Sequence, residues 1–404
     1  MKQADADEPL YETRQYGRRE HAKPIGNSDS AVARLIRATP YRWIDEKDIP
    51  PRDFLHGSHH PRGYVVVDIA TGGAGKTAFN LAEAIAMVAG RNLLGQPPGE
   101  KLKVWYWCLE DPLEELTRRI QAICHHYGIT EQELGGRLFV NGREQPLCIT
   151  TAIRNAVEIS PSIVEGFINE ISECQIDLLI IDPFISCHEA PENDNNAQDK
   201  VAKAWGGIAV AAKCCVKLVH HIRKADMGDV STASARGSKA LTDAARSVRI
   251  FQSMNDADAP KAGVDNARRY FKVFIDKANM TPIRNKESWF QFINAELGNG
   301  DFVGVVAPWE WPDAFAGISP DDTLRVQQAI DGHNFRESSQ AANWVGHTIA
   351  AVLEIDLNGH GRERVKELIK TWIKNNVLRI ESIHDANARR KVPCIAVGKW
   401  INAG

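Results

Sequence analysis

The residues Ala70-Thr71-Gly72-Gly73-Ala74-Gly75-Lys76-Thr77 concentrate more potential chemistry than any other stretch of this chain. They fit the phosphate-binding pattern G-x-x-x-x-G-K-[ST], with alanine in place of the first glycine. In such a loop the glycines let backbone N–H groups wrap a phosphate, the lysine reaches the outer phosphates and the threonine hydroxyl ligates Mg²⁺. Thr71, Gly72, Gly73, Ala74, Gly75, Lys76 and Thr77 are therefore the expected nucleotide contacts, with ATP and Mg²⁺ as cofactors. The plain alternative is a glycine-rich turn that happens to precede a helix. Against it stand the apolar run GYVVVDI before the loop and AFNLAEAIAMVAG, with helical spacing, after it. Strand, loop and helix is the context that phosphate binding demands.

Asp182 closes the apolar run Leu178-Leu179-Ile180-Ile181. A carboxylate at the end of a buried strand can hold the water shell of Mg²⁺, so Thr77 and Asp182 are the expected metal-side residues. An aspartate ending a strand is also an ordinary turn former. Glu110 and Asp111 follow the apolar run KVWYWCL, and either carboxylate could serve a reaction there. Asp111-Pro112 could equally be no more than a helix start.

The elements that must position these groups alternate. After the loop helix come KVWYWCL (strand), PLEELTRRIQAICHHYG (helix), RLFV (strand), SPSIVEGFINEISEC (helix), DLLIIDPF (strand), a helix near 197–213 and the strand VKLVHHI. Alternation of this kind predicts an α/β fold with a mainly parallel sheet covered on both faces. SVRIFQSM, YFKVFIDKA and WFQFI then read as consecutive strands that extend the sheet edge. APWEWPDAFAGISPDD, with three prolines, reads as a linker. Beyond it DDTLRVQQAID, SSQAANWVGHTIAAVL and RERVKELIKTWIKNN read as three helices, and LRIESI and CIAVGKW as a hairpin, the plan of a small winged-helix domain. The expected organisation is a mobile arm over 1–45, an ATPase domain over 46–305, a linker over 306–320 and a basic winged-helix-like domain over 321–404.

With 404 residues, 43% of them hydrophobic, the chain can bury one full core and a smaller second one. No apolar run reaches the roughly 18 residues of a membrane span, and the polar opening MKQADADEPLYETRQYGRRE has no signal-peptide character. The eight cysteines are scattered and form no CxxC pair, so neither a zinc knuckle nor a disulfide framework is suggested. A cytoplasmic protein is expected. A net charge of -3 excludes a uniformly basic DNA coat, yet from Gly361 onward ten lysines and arginines stand against four acids.

From Gly63 to about Asn279 the order of motifs resembles the RepA family of plasmid hexameric helicases, within the RecA/DnaB superfamily and the wider set of AAA family ATPases. The motifs that carry the resemblance are the phosphate loop, Glu110-Asp111-Pro112, His220-His221-Ile222-Arg223-Lys224 and Arg236-Gly237-Ser238-Lys239-Ala240-Leu241-Thr242-Asp243-Ala244-Ala245-Arg246. The resemblance implies a RecA-like core. It also implies Glu110 as the base that activates water, with Asp111 as fallback, because the position after Asp182 used by AAA+ proteins is here Pro183. By the same resemblance His221 senses the γ-phosphate and Arg246 is the finger inserted into a neighbour's site. Read without it, the histidines are one buried and one solvated ring, and Arg246 is a surface arginine paired with Asp243. One departure is Asn279, where the DnaB type carries an arginine after Lys277; this makes Lys277 an auxiliary contact.

The resemblance implies a homo-oligomer, expected to be a hexamer, with single-stranded DNA in its channel. The loop over 186–198 is acidic and ill suited to phosphate. Ala225–Ala235, bracketed by Lys224, Arg236 and Lys239, suits it better, unless it is only a lid. Lys366, Lys370 and Lys374 recur along one helix face and Arg389-Arg390-Lys391 occupy the turn of the hairpin. They predict a duplex-binding surface, while a solvated basic face or a protein contact remains open. The expected function is an ATP-dependent DNA helicase or translocase of plasmid or phage replication. The alternative is an ATP-controlled DNA-binding switch or loader that does not unwind.

Overall fold

The computed structural model describes residues 38–71, 73–97, 99–153, 156–222, 239–282, 287–385 and 390–401. Most of the expected N-terminal arm, Gly72, the loop expected over 225–235 with Lys224 and Arg236, and Arg389 lie outside the described residues. The chain divides into a unit over Met1–Pro51 and a unit over Arg52–Gly404. In the first, a 3-10 turn at Glu46–Asp48 is capped by the Asp45 carboxylate, and Tyr41 and Trp43 are exposed.

The second unit is built on the strands β1 (Val65–Thr71), β2 (Val104–Cys108), β3 (Leu138–Asn141), β4 (Thr150–Ile153), β5 (Ala156–Ile159), β6 (Leu178–Asp182), β7 (Cys215–Ile222), β8 (Ser247–Ser253), β9 (Tyr270–Ala278), β10 (Ser288–Glu296) and β11 (Phe302–Trp309). Nine of them form one sheet in the order β11-β10-β9-β8-β1-β7-β6-β2-β3, and β4 and β5 pair separately. The strands from β8 to β3 are parallel, and β9, β10 and β11 extend the edge antiparallel. This is the mainly parallel sheet expected. The phosphate-loop strand β1 is central, and one strand, β7, separates it from the Asp182 strand β6.

All seven β1 residues are buried, as a strand covered on both faces must be. Helices α1 (Lys76–Ala89) and α2 (Leu113–Tyr127) cover the face carrying Val66 and Ala70. Helices α3 (Pro161–Cys174) and α4 (Asn195–Ala211) cover the face carrying Val65, Val67 and Ile69. Short helices α5 (Lys239–Ala244) and α6 (Ala259–Ala262) flank β8.

The Val66 and Ala70 face of β1 also carries Asp68, and there the core is not apolar. Asp68 on β1, Glu83 on α1, Lys217 on β7 and Arg249 on β8 are all buried. Arg249 grips both carboxylates, with Nε and Nη2 at 2.8 and 2.7 Å from the two Asp68 oxygens and Nη1 and Nη2 at 2.7 and 2.8 Å from those of Glu83. Lys217 Nζ donates to Glu83 at 2.5 Å and to Asn80 Oδ1 at 3.1 Å. Two acids and two bases balance. His56, His59 and His60 close the cluster from the chain before β1, with His59 Nε2 3.1 Å from Asp68 and Nδ1 2.8 Å from Ser247 Oγ. Burial alone would raise the Asp68 and Glu83 carboxyls, but Arg249 and Lys217 outweigh it and hold both well below the usual range.

The remaining residues form α7 (Pro320–Ile330), β12 (Phe335–Arg336), α8 (Val345–Leu353), α9 (His360–Lys374), β13 (Leu378–Asp385) and β14 (Arg390–Val397), with a sheet in the order β12-β14-β13. Val326, Trp344, Ile349, Leu368 and Trp372 make their own core. Three helices and the hairpin were expected here; β12 was not. Trp344 is bridged to Arg336, whose N–H donates to Asn343 O at 3.0 Å, and Asn343 lies in a turn before it, so the second helix starts at Val345 and not near Ser338. Upstream, β11 runs on to Trp309, inside the stretch expected as linker. The β4–β5 hairpin was also not foreseen.

Removing one member of the balanced cluster leaves an uncompensated buried charge, which costs about 3–5 kcal/mol. Arg249→Met should therefore lower the free energy of unfolding in urea by that order, and a loss under about 1 kcal/mol would show the charges uncoupled. Burial holds His59 down at about 4 and also lowers His56 and His60. Between about pH 6.5 and 4 the unfolded chain binds protons that the folded cluster refuses, so stability must fall as pH is lowered through that window, by up to about 1.4 kcal/mol per unit for each imidazole. Thermal melting followed from pH 7 to 4.5 should show the decline, with a shallower slope in His59→Gln; a flat profile would contradict it.

Candidate nucleotide site

The phosphate loop leaves the C-terminal end of β1 and enters α1. Gly73 and Gly75 both take positive φ, 80° and 83°, which curls the chain into the kind of concavity that successive N–H groups can line. Gly75 is the cap residue of α1 and supplies no side-chain acceptor, so the first-turn N–H groups are left for an anion. Gly75 is needed for space as well: a Cβ there would lie 2.5 Å from Phe292 Cζ and 3.2 Å from Phe271 Cε1.

Lys76 is buried, and its ammonium donates to Ala70 O at 3.1 Å and Thr71 O at 3.3 Å. Burial lowers its pKa to about 8 against the upward pull of Asp182, Asp68 and Glu110. Thr77 Oγ1 donates to Asp182 Oδ2 at 2.9 Å, and the Tyr106 hydroxyl donates to the same oxygen at 2.5 Å. Asp182 Oδ1 is buried and has no partner among the described residues. A buried carboxylate oxygen without a donor is costly, and beside the lone pairs of the Thr77 hydroxyl it forms a donor set of hard oxygens that suits Mg²⁺.

Glu110 and Asp111 follow β2, whose Cys108 pairs with Asp182. The structure separates their surroundings. Asp111 is bound by Arg119 at 3.1 Å. Glu110 is exposed, and its carboxyl is raised by partial burial and by Asp182 and Asp111, while Lys76 pulls it down. A carboxylate with raised proton affinity that feels both Lys76 and Asp182 can accept a proton from water.

His221 lies opposite Ala70 on β7, between the loop strand and the Asp182 strand. Burial and Lys76 lower its pKa, and its Nε2 is a second buried atom without a partner among the described residues. A neutral ring there can donate to a phosphate oxygen. His220 is pushed down to about 4 by burial.

Arg246 does not join this assembly. It sits just before β8, at the N-terminal edge of the sheet. Its N–H donates to Val65 O at 3.0 Å, and its exposed guanidinium lies 5.7 Å from the centre of the Tyr64 ring. The phosphate loop is at the other end of β1, seven residues away at roughly 3.3 Å each. Asp243 makes no ion pair with it among the described residues. Lys277 Nζ donates to Thr242 O at 2.8 Å and Asp243 O at 3.1 Å, fastening the end of α5 beside Arg246.

At the regions expected to touch DNA, Asp194 caps α4 by accepting from Asn196 and Ala197 N–H, so one acid of the 186–198 loop has a structural task. On α9, Lys366 pairs with Glu363 at 2.6 Å and Lys370 with Glu367 at 3.6 Å, while Arg364 donates to Ala314 O. Arg390 and Lys391 are exposed on β14.

Reading the sequence did not single out Tyr106, Arg119 or the buried charge cluster. A signal for the cluster was present: GYVVVDI, LAEAIAM, VKLV and SVRIF each hold one charged residue within an apolar run. Which charges would meet depended on strand order.

A protein-family profile described as an AAA domain matches residues 32–227. No curated protein sequence matches the chain. Among solved structures it is similar to the ATPase domain of G40P, at 15% identity over 60% of this chain and 86% of that one with a TM-score of 0.40. It is also similar to a KaiC-like protein from Pyrococcus horikoshii OT3, at 15% identity over 64% of this chain and 99% of that one with a TM-score of 0.39. The matched region spans the phosphate loop and the Asp182 strand, and the chain is a P-loop ATPase.

The unequal surroundings of the two acids give a test. Glu110→Gln should bind ATP and slow turnover by about 10²-fold or more, the scale of lost general-base catalysis. Asp111→Asn should change turnover by less than about tenfold. Steady-state phosphate release checks both, and the reverse ranking would move the base to Asp111.

Proposed function

We propose that this P-loop ATPase is a ring-forming DNA translocase or helicase of the RepA/DnaB type, acting in plasmid or phage replication, with each ATP site completed by a neighbouring copy. The observation that carries this reading is the place of Arg246. Within one chain a guanidinium at the N-terminal edge of the sheet is roughly 20 Å along β1 from the phosphate loop, beyond the reach of an arginine side chain. It is exposed, held over Tyr64 and backed by Lys277 on the end of α5. Such a group is suited to serve the site of another copy and there to offset transition-state charge.

In this reading Thr71 to Thr77 hold the phosphates, and Lys76 exchanges its two carbonyl partners for phosphate oxygens. Thr77 and Asp182 hold Mg²⁺, which when bound offsets phosphate charge. Glu110 takes the proton of the attacking water. His221, lying between β1 and β6, reports the presence of the outer phosphate to the segment after β7. The assembly is a homo-oligomer, with a hexamer as the proposed number, and single-stranded DNA in the channel is the proposed partner. The C-terminal domain is proposed as a winged helix whose exposed Arg390 and Lys391 approach duplex DNA.

The pairing of Lys366 and Lys370 with glutamates leaves α9 less basic than its lysines alone imply. This favours a light duplex contact and lends weight to the second reading, an ATP-controlled switch or loader. Strand displacement on forked DNA separates the two, since only the motor unwinds.

A shared site has a distinctive consequence. Arg246→Ala and Lys76→Ala chains should each lose at least about 10³-fold in ATPase rate, and mixing them should restore a measurable part of it, because mixed interfaces pair an intact loop with an intact arginine. Lack of rescue in co-assembled, folded chains would refute a site completed in trans.

A further inference from the structure

Tyr106 lies in the middle of β2, and its side chain is fully buried. Cys108 pairs with Asp182, so Tyr106 is two residues back on the same face, and its ring runs along the strand toward the carboxylate. The single phenolic proton is spent on Asp182 Oδ2 at 2.5 Å, at the short end of hydrogen bonds to a charged oxygen. Thr77 donates to the same Oδ2 at 2.9 Å. Both donors converge on one oxygen, and the other, Oδ1, is buried without a partner among the described residues. If Tyr106 served only to satisfy a buried aspartate, nothing would require both protons on one oxygen while its twin, equally buried, goes without.

We propose that Tyr106 is a positioning residue for the metal-holding carboxylate: it anchors Oδ2 so that Oδ1 stays free for a hydrated divalent cation, an inference which rests on the nucleotide-site reading above. Two fixed donors hold the carboxylate in one orientation. With Thr77 alone, whose own oxygen must also face the cation, the group can turn and spread its charge between two positions. The chemistry recognised is a divalent cation with a preference for oxygen donors. Loss of an outer partner that orients a ligand typically lowers metal affinity by roughly 10–100-fold.

The variant Tyr106→Phe keeps the ring and removes one oxygen. Mn²⁺ binding to the full chain with ADP present, followed by the EPR signal of free Mn²⁺, should weaken by about tenfold or more. ADP binding measured in EDTA should change by less than about twofold. Wild-type Mn²⁺ affinity in the variant would overturn the proposal. So would an equal loss of ADP binding with and without metal, since that is the mark of a merely structural role. If Tyr106→Phe does not fold, the wild-type chain labelled with ¹³Cζ-tyrosine supplies the second reading. The Tyr106 resonance should shift when Mg²⁺ is added to the ADP-bound protein, and a constant resonance would overturn the role. Failure of the wild-type chain to bind ADP at all, with or without metal, would instead refute the nucleotide site, and the role of Tyr106 with it.

Discussion

Arg249 holds two carboxylates at once, and much of the molecule is arranged around that grip. Asp68 belongs to the strand that ends in the phosphate loop, Glu83 to the helix that begins there, Lys217 to the strand that carries His221 and Arg249 to the strand that begins after Arg246. A buried ion pair need not add net stability, because removing two charges from water costs about as much as their attraction returns. What it adds here is alignment. Apolar side chains tolerate a small slide past one another, whereas a guanidinium forked between two carboxylates does not. The phosphate loop, the strand that carries His221 and the strand that follows Arg246 are thereby held in one register.

The sheet then has two ends of different character. At the C-terminal end of its strands, Lys76, Thr77, Asp182, Glu110 and His221 converge from four segments. At the opposite end Arg246 stands exposed, and the balanced cluster lies between them. Any movement at one end that shifts β1 along its axis must carry Asp68 with it and strain Arg249. The two ends are therefore joined by short, stiff connections of three to five residues on β1, β7 and β8.

Much of this was legible in the residues, and the limit has a physical cause. Strand-helix alternation, the loop and the carboxylate ending LLIID are local patterns, and the structure has them where the sequence places them. The cluster and Tyr106 depend on contacts between segments far apart in the chain. Asp68 and Arg249 are 181 positions apart, and Tyr106 and Asp182 are 76. A lone charge in an apolar run announces that a partner exists but not which one. In VWYWC, with five apolar or aromatic residues in a row, alternation cannot tell which face looks toward Asp182. The choice between Glu110 and Asp111 was open for the same reason: Arg119, one helical turn beyond Glu115, makes the difference, and only the folded α2 brings it back to Asp111.

Gly75 has a consequence for where this enzyme can be cut. The profile for the AAA domain ends at residue 227, but the aromatic floor under Gly75 comes from Phe271 and Phe292, on β9 and β10. Phe79, one turn into α1, packs on Phe251 and Phe290 from the same direction. A fragment trimmed to the boundaries of the profile would keep every residue of the phosphate loop and lose the wall against which the loop is moulded. The smallest piece that could serve as an independent catalytic module therefore extends through β11 to Trp309, and evolutionary shuffling of this unit would have to carry the antiparallel edge along with the parallel core.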